Sequence, residues 1–109
     1  MELPTLDDAV ASLIQPVAGI PAHLPESFGQ GKGIFGGLVF AAMVRAVEAR
    51  SSDPLRTLSV DMCAPVQAGI PTALTTRCVK RGRTSSFWHL ELSQNGGGVA
   101  QGLAFSGEP

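Results

Sequence analysis

Gly31–Arg50, GKGIFGGLVFAAMVRAVEAR, is the stretch around which the rest of this chain is organised. It begins with closely spaced glycines and has neither Gly nor Pro from Leu38 onward, where Ala, Leu and Met are frequent. This second part predicts a helix of about four turns. The helix is apolar on nearly all sides before Arg45, so we expect it to be buried. It is too short to cross a bilayer, which needs ~20 apolar residues.

The residues after this helix alternate with the period of β-strands and are separated by short turns. Parallel pairing needs a crossover of a dozen or more residues, so we expect antiparallel neighbours. Before the helix, the pattern predicts a first helix that begins near Thr5 and stops before Pro16, and a short edge strand. The fold class is therefore α+β, one domain over residues 1–109, with a curved antiparallel sheet wrapped around a long central helix. The predicted strands are Ala22–Phe28, Leu55–Pro65, Ile70–Lys80, Thr84–Ser93 and Val99–Ser106.

Composition narrows the class of protein and its surroundings. Only 16% of residues are charged, and we expect so sparsely charged a small domain to hide surface in an oligomer. The net charge of −1 and the lack of a basic tract disfavour nucleic-acid binding. Cys63 and Cys78 lack metal-ligand spacing and are predicted to be buried free thiols, which suits a reducing compartment. With no basic signal-like start and no membrane-length segment, the predicted location is the cytoplasm.

Three segments carry a family resemblance: GIFGGLVFAAMVRA, LRTLSVDMCAPVQAG and VKRGRTSSFWHLELSQNGGGVAQGLAFSG. In this order and spacing they resemble the acyl-CoA thioesterase II and thioesterase-like group, which has the hotdog fold, and most closely its N-terminal hotdog. The resemblance covers about Ser27 to Gly107. It implies a single hotdog domain that pairs edge to edge with another, as a homodimer or homotetramer. It also implies a thioester of coenzyme A or a similar carrier as ligand, with no metal, no cofactor and no membrane partner.

Gly36 and Gly37 are the first candidates for catalysis. Backbone N–H groups at a helix start are unsatisfied and carry partial positive charge, so they suit the oxyanion that develops during thioester hydrolysis. Glycines at the start of the buried helix would let the thioester carbonyl approach closely. The alternative is that they only allow a tight entry turn and close helix–sheet packing.

A second requirement of hydrolysis is a polar group that activates water. Many hotdog thioesterases carry an acid about two turns into the central helix, but Ala41–Val44 occupy that region here. The family's Asp, Thr and Gln trio belongs to a second hotdog, and its Gln position falls on Ala104. Asp61 and the nearby Gln101 are therefore the candidates. The alternative for Asp61 is a solvated or salt-bridged residue, paired with Arg77 or Arg83.

The remaining candidates would bind the substrate. Arg81 and Arg83 lie in a predicted hairpin turn whose charge would attract coenzyme A phosphates, although a solvated turn is the simpler interpretation. Phe35 precedes the glycine pair, while Thr57 and Ser59 share a strand face with Asp61.

The resemblance thus implies a protein that hydrolyses or binds acyl-CoA thioesters in a groove between hotdog subunits. The alternative is a non-catalytic acyl-binding or structural hotdog subunit, favoured by the missing helix acid. A dehydratase or hydratase would want a His/Asp pair beside the groove, and no local motif supplies one.

Overall fold

The computed structural model describes residues 6–14, 22–23 and 32–108. The described residues form one antiparallel five-stranded sheet, in the spatial order β1-β3-β4-β5-β2, together with two helices. The elements in chain order are α1 (Leu6–Ile14), β1 (Ala22–His23), α2 (Lys32–Glu48), β2 (Leu55–Met62), β3 (Pro71–Arg81), β4 (Ser85–Gln94) and β5 (Gly97–Gly107). This confirms the predicted α+β architecture.

The core lies between α2 and one face of the sheet, here called the inner face. Leu90 and Leu92 of β4 are fully buried against α2, and α1 adds Val10 and Leu13. Full burial of each Leu side chain stabilises the fold by roughly 1.5–3 kcal/mol. On α2, the buried side chains follow one side of the helix: Leu38, Val39, Ala42, Met43, Ala46 and Val47.

The helix and the sheet approach each other most closely at Gly102. A Cβ placed on Gly102 would lie 2.6 Å from the Sδ of Met43, closer than real contacts allow. Gly102 is paired with Leu90 on β4 and with Val60 on β2, so it sits in the middle of the inner face. The lack of a side chain there lets α2 settle onto the sheet.

Two polar clusters hold the ends of this core. The Trp88 indole Nε1–H donates to the Ser106 hydroxyl at 3.1 Å, and the hydroxyls of Ser106 and Ser51 are also 3.1 Å apart. Ser51 lies three residues after the end of α2 and its N–H donates to the Val47 carbonyl, so this cluster ties the C-terminal end of the helix to the sheet. At the other end, the buried Gln94 amide donates to the Gln67 carbonyl and the Thr72 hydroxyl, and its oxygen accepts the Gln67 N–H.

The second half of the chain follows the sequence pattern closely. β2 to β5 are confirmed, with ends that shift by at most three residues. The β4–β5 turn has Asn95 and Gly96 at φ of 52° and 77°, the left-handed pair that a two-residue hairpin turn requires. Only Ala22–His23 of the predicted edge strand is described as strand, and the rest of that prediction lies outside the described residues.

The start of α2 differs from the sequence prediction. The helix begins at Lys32 instead of Leu38, and it includes both Gly36 and Gly37. A glycine inside a helix costs about 1 kcal/mol relative to Ala, but burial of Leu38, Val39 and the residues beyond outweighs that cost. The glycines therefore do not mark the entry turn.

The expectation of an all-round buried helix is wrong on one side. Phe40 is 47% exposed and Gly37 is also exposed. Among the described residues, neither helix has the length and apolar character needed to span a membrane.

Candidate functional site

The first part of the site is the open stretch of backbone at Gly36 and Gly37. Gly36 is half-buried and Gly37 is exposed. A Cβ added at either position would have no heavy atom of the described residues within 4 Å. Close packing against the sheet therefore does not explain these two glycines, in contrast to Gly102. None of the described residues fills the space beside them.

An apolar stripe continues from the glycines along α2. Phe40 is exposed, and Ala41 and Val44 are half-buried. The positions 37, 40, 41 and 44 are three or four residues apart, so they share one side of the helix. We call Gly37, Phe40, Ala41 and Val44 the open stripe. Its surface suits an acyl chain or an apolar partner surface.

The amide donors of α2 lie one turn before the glycines. In a helix that begins at Lys32, the unsatisfied N–H groups belong to residues 32–35, and the Gly36 N–H faces the Lys32 carbonyl. No acidic residue in this first turn offsets the partial positive charge of the helix start. Phe35 lies in the same turn, and its side chain is outside what the structure describes.

The second part of the site lies on β2 and β5, where the structure brings Asp61 and Gln101 together. The two residues are direct partners in the antiparallel register, and both are exposed. Ser59 and Thr57 follow on the same face of β2, opposite Leu103 and Phe105. Four of the predicted site residues thus form one polar edge of the sheet.

A chain of side-chain contacts extends this cluster. The Gln101 amide oxygen lies 3.4 Å from Nε2 of His89, and its Nε2 donates to the Cys63 Sγ at 3.9 Å. Cys63 and Cys78 are both free, as predicted, but Cys63 is exposed and Cys78 half-buried, so their predicted burial is wrong. Cys63 follows Met62, the last residue of β2, and its Sγ meets Gln101 on the exposed side of the sheet instead of the core. The alternation along β4 already predicts that His89 and Leu90 lie on opposite faces of the sheet. Only the register between β4 and β5 was needed in addition to place His89 beside Gln101.

The sheet separates these two parts. Val60 packs against the core and Gly102 faces Met43, so their neighbours Asp61 and Gln101 point to the opposite side. Asp61 and Gln101 thus lie on the face away from α2 and its glycines. Within one protomer the sheet backbone stands between the helix amides and these polar side chains. Arg77 lies on β3 and Asp61 on β2, with β4 and β5 between them. Neighbouring strands are ~4.8 Å apart, so the predicted alternative of a salt bridge from Asp61 to Arg77 does not form within one protomer.

Arg81 and Arg83 form a third location. Arg81 ends β3 with its guanidinium carbon 6.0 Å from the centre of the Trp88 ring, and Arg83 is exposed in the turn. Ser86, beside this turn, pairs with Ser106, which contacts Ser51, three residues beyond the end of α2. The two arginines therefore lie near the C-terminal end of α2, whereas the glycines lie in its N-terminal half.

A metal-binding cluster and a cavity are two further features that a functional site can have. No group of three or more His, Cys, Asp or Glu side chains among the described residues is arranged to hold a metal ion. A shallow cavity of about 440 Å³ contains none of the predicted site residues, and it is lined by Arg56, Thr84, Ser85, Phe105, Gly107 and Glu108.

Comparison with known protein families matches residues 24–107 to the acyl-CoA thioesterase N-terminal domain. The chain belongs to this family. The match spans α2 and β2 to β5 and thus includes both parts of the site described above. A comparison with curated proteins gave no match to this thioesterase-family chain.

Solved structures show the same hotdog fold. A conserved protein of unknown function from Alicyclobacillus acidocaldarius superposes with a TM-score of 0.81 at 22% identity, over 99% of this chain and 41% of that one. A putative thioesterase II from Thermobifida fusca gives 0.72 at 23% identity, over 93% and 39%. A thioesterase from Thermus thermophilus, complexed with coenzyme A and Zn, gives 0.56 at 20% identity, over 72% and 65%. The thioesterase-family chain thus spans about two fifths of the first two proteins.

Proposed function

We propose that this protein is an acyl-CoA thioesterase-like hotdog unit that binds an acyl-CoA thioester, and hydrolyses it, in a groove between two such units. The observation that carries the proposal is the open backbone at Gly36 and Gly37, at the head of the open stripe of α2. Glycine is unfavourable inside a helix by about 1 kcal/mol, and nothing among the described residues requires it there. Close approach of a ligand supplies the missing reason. Family membership names the class of that ligand.

The arrangement suits the two halves of a thioester. The carbonyl oxygen becomes more negative during attack by water, and the free amides and partial positive charge of the first turn of α2 stabilise it. The glycines let the thioester lie against the helix without contact with a side chain. The acyl chain then follows the apolar surface of Phe40, Ala41 and Val44.

The groove needs a second unit for its other wall. β2 is an edge strand of the described sheet, so its outward N–H and C=O groups are available to another strand. We propose that two hotdog units pair there, giving a homodimer or a homotetramer. The second unit would then cover apolar surface that one protomer leaves exposed.

Asp61 and Gln101 are the proposed water-ordering residues, with Thr57 and Ser59 beside them. They point away from α2, so they would meet a thioester only where it passes the end of β2 at Met62. Arg81 and Arg83 lie at the opposite end of α2 from the thioester of their own unit, so as the proposed contacts for the phosphates of coenzyme A they would come from the second unit. The free thiols support the cytoplasm as the proposed location.

A non-catalytic acyl-binding subunit is the second candidate. The same geometry favours it, because α2 has no acidic or amide side chain from Gly36 to Val44, the segment that contains the open stripe. In this case the thioester binds to the helix, while no water is activated.

The experiment measures binding and turnover separately. Release of coenzyme A from acyl-CoAs of several chain lengths is followed with a thiol reagent, and binding of the same compounds is measured by calorimetry. Turnover that falls at least tenfold in Asp61→Asn or Gln101→Ala supports hydrolysis by this site. Binding without turnover selects the non-catalytic subunit. Neither binding nor turnover with any chain length overturns the proposal.

Gly37→Ala and Gly37→Leu locate the ligand. A Cβ at Gly37 meets no heavy atom of the described residues within 4 Å, and the position is exposed, so we expect both variants to fold; the Leu side chain would extend into the space proposed for the thioester. We expect acyl-CoA binding to weaken at least tenfold in Gly37→Leu. Gly97→Leu is the matched control, since Gly97 is the exposed first residue of β5 and an added Cβ there makes only an ordinary 3.8 Å contact. Equal binding by Gly37→Leu and wild type would exclude this groove.

A further inference from the structure

The loop between β2 and β3, residues 63–70, is held in place by one buried side chain, that of Gln94. The Gln94 amide nitrogen donates to the Gln67 carbonyl at 2.8 Å, and the amide oxygen accepts the Gln67 N–H at 3.0 Å. The nitrogen also donates to the Thr72 hydroxyl at 2.9 Å. Gln94 thus satisfies both backbone groups of one loop residue, as a neighbouring strand would. We call Gln94, Gln67 and Thr72 the Gln94 clamp.

The loop crosses the end of the sheet on the side of α2. In the strand order, β5 and β4 separate β2 from β3, a distance of about 14 Å at ~4.8 Å per step. The half-buried loop side chains Ala64, Val66 and Ala68 pack against the core cluster between α2 and the sheet. Gln94 lies on the inner face of β4, whereas its neighbour Ser93 lies on the face away from α2, here called the outer face. The Gln94 clamp therefore fixes the middle of the loop on the inner side of the sheet end.

This end of the sheet lies toward the N-terminal half of α2, because β2 runs back along the helix. Leu55, the first residue of β2, pairs with Ser106, whose hydroxyl is 3.1 Å from that of Ser51. Ser51 lies three residues beyond the end of α2, so the strand starts at the C-terminal end of the helix. The strand then ends at Met62, and the loop begins there.

The beginning of the loop is level with the glycine pair of α2. Met43 meets the position of Gly102, whose partner on β2 is Val60. Gly36 precedes Met43 by seven residues, which is about 10 Å along the helix. The same distance along β2 from Val60, at ~3.4 Å per residue, reaches Cys63. An added Cβ at Gly36 meets no described atom within 4 Å, so the loop borders this space without filling it.

We infer that Gln94 is a positioning residue for the thioester site, because it holds the loop that forms the wall of that site level with Gly36. This inference rests on the proposed function, which places the thioester beside Gly36 and Gly37. Gln94 is itself buried and its amide is bonded to the loop and to Thr72, so it acts through the loop. A wall that is ordered before the ligand arrives lowers the entropy cost of binding.

Hydrogen exchange of the full chain tests whether the clamp holds the loop. The Gln67 N–H donates to the Gln94 oxygen, so its exchange rate reports on the clamp directly. Gln94→Met keeps the length of the side chain without its hydrogen bonds, so exchange at Gln67 should become at least about tenfold faster relative to the amides of β3. Ser106→Ala is the matched control, because it also removes hydrogen bonds of a buried group, but at the opposite end of the core. It should leave this ratio of exchange rates as in the wild type.

Binding of acyl-CoA tests whether the loop belongs to the thioester site. Calorimetry should show binding at least about tenfold weaker in Gln94→Met and close to wild type in Ser106→Ala. Because both variants lose buried hydrogen bonds, a merely structural role would weaken binding in both or in neither. Thr72→Val is a milder variant that removes the third bond of the clamp and keeps both bonds to Gln67. It should weaken binding by a few-fold, and it carries the same comparison if Gln94→Met does not fold.

The outcomes distinguish this inference from the proposed function. A wild-type protein that binds no acyl-CoA overturns both. Wild-type binding that persists in Gln94→Met and Thr72→Val, or that falls equally in Ser106→Ala, overturns the role of Gln94 and leaves the proposed thioester site intact. Unchanged exchange at Gln67 in Gln94→Met means that the clamp does not hold the loop, which also overturns this inference alone.

Discussion

The inner and outer faces of the sheet differ in what covers them, although both carry large apolar side chains. Leu90 on the inner face is completely buried under α2, whereas Leu103 on the outer face, one strand away, is 62% exposed. Trp88 and Phe87 are neighbours in the chain and show the same contrast. The inner face explains how one protomer folds. The outer face and the open stripe of α2 show how much of its apolar surface the protomer leaves for other molecules.

The sharpest comparison is between Leu90→Ala and Leu103→Ala. Leu90→Ala opens a cavity in the core and should lower the free energy of unfolding by about 2–5 kcal/mol. Leu103→Ala removes a side chain that is mostly in water, so the unfolding free energy of the protomer should change by less than about 1 kcal/mol. Urea unfolding at matched protein concentration measures both. Similar losses in the two variants would contradict the assignment of the faces.

The glycine pair Gly102 and Gly37 gives the next comparison. Gly102→Ala forces a Cβ against Met43 and should destabilise the protein by about 1–3 kcal/mol. Met43→Ala creates a cavity and destabilises the protein by itself, but the loss in the double variant should be smaller than the sum of the two single losses, because the clashing sulfur is absent. Urea unfolding of the single and double variants checks this coupling.

Two serines compare a buried with an exposed hydroxyl. Ser106→Ala leaves the buried Trp88 N–H without its acceptor and should lower stability by about 1–3 kcal/mol. Ser59→Ala, on the exposed face of β2, should stay within about 0.5 kcal/mol of wild type. When Trp88 is already replaced by Phe, Ser106→Ala should cause little further loss of stability. Thermal unfolding of wild type, Ser106→Ala, Trp88→Phe and the double variant measures this.

The smallest expected effect has the opposite sign. Gly37→Ala replaces a helical glycine that meets nothing within 4 Å, so it should raise stability by up to about 1 kcal/mol. Gly36→Ala should behave in the same way. A loss of stability in both variants would mean that the space beside α2 is filled within the protomer.

Much of this fold could be predicted from the sequence, because the strands of the second half have a clear period of two. The alternation of Trp88, Leu90 and Leu92 with Phe87, His89 and Glu91 is confirmed by their burial. The start of α2 could not be predicted as well. Local propensity disfavours helix at Gly36 and Gly37, and only the packing of later helix residues overrides it.

The candidate site was harder to predict than the fold. Period-two alternation placed Asp61 on a polar face, but the sequence did not show that this face points away from α2, nor that Gln101 is its register partner. Both facts depend on the strand order β4-β5-β2, which is a long-range property of the chain. The same strand order places Arg81 and Arg83 near the C-terminal end of α2, away from Gly36 and Gly37.

The order of the strands also has a consequence for folding. β3, β4 and β5 follow one another through short turns, so their contacts close small loops, whereas β2 pairs with β5 across the whole length of that hairpin series. Ordering distant parts of a chain costs more entropy and is slower than ordering neighbours. We therefore expect β2 to join the sheet last and to leave it first. The margin of the sheet that a second hotdog unit would bind is thus the part of the chain most dependent on that unit for its own order.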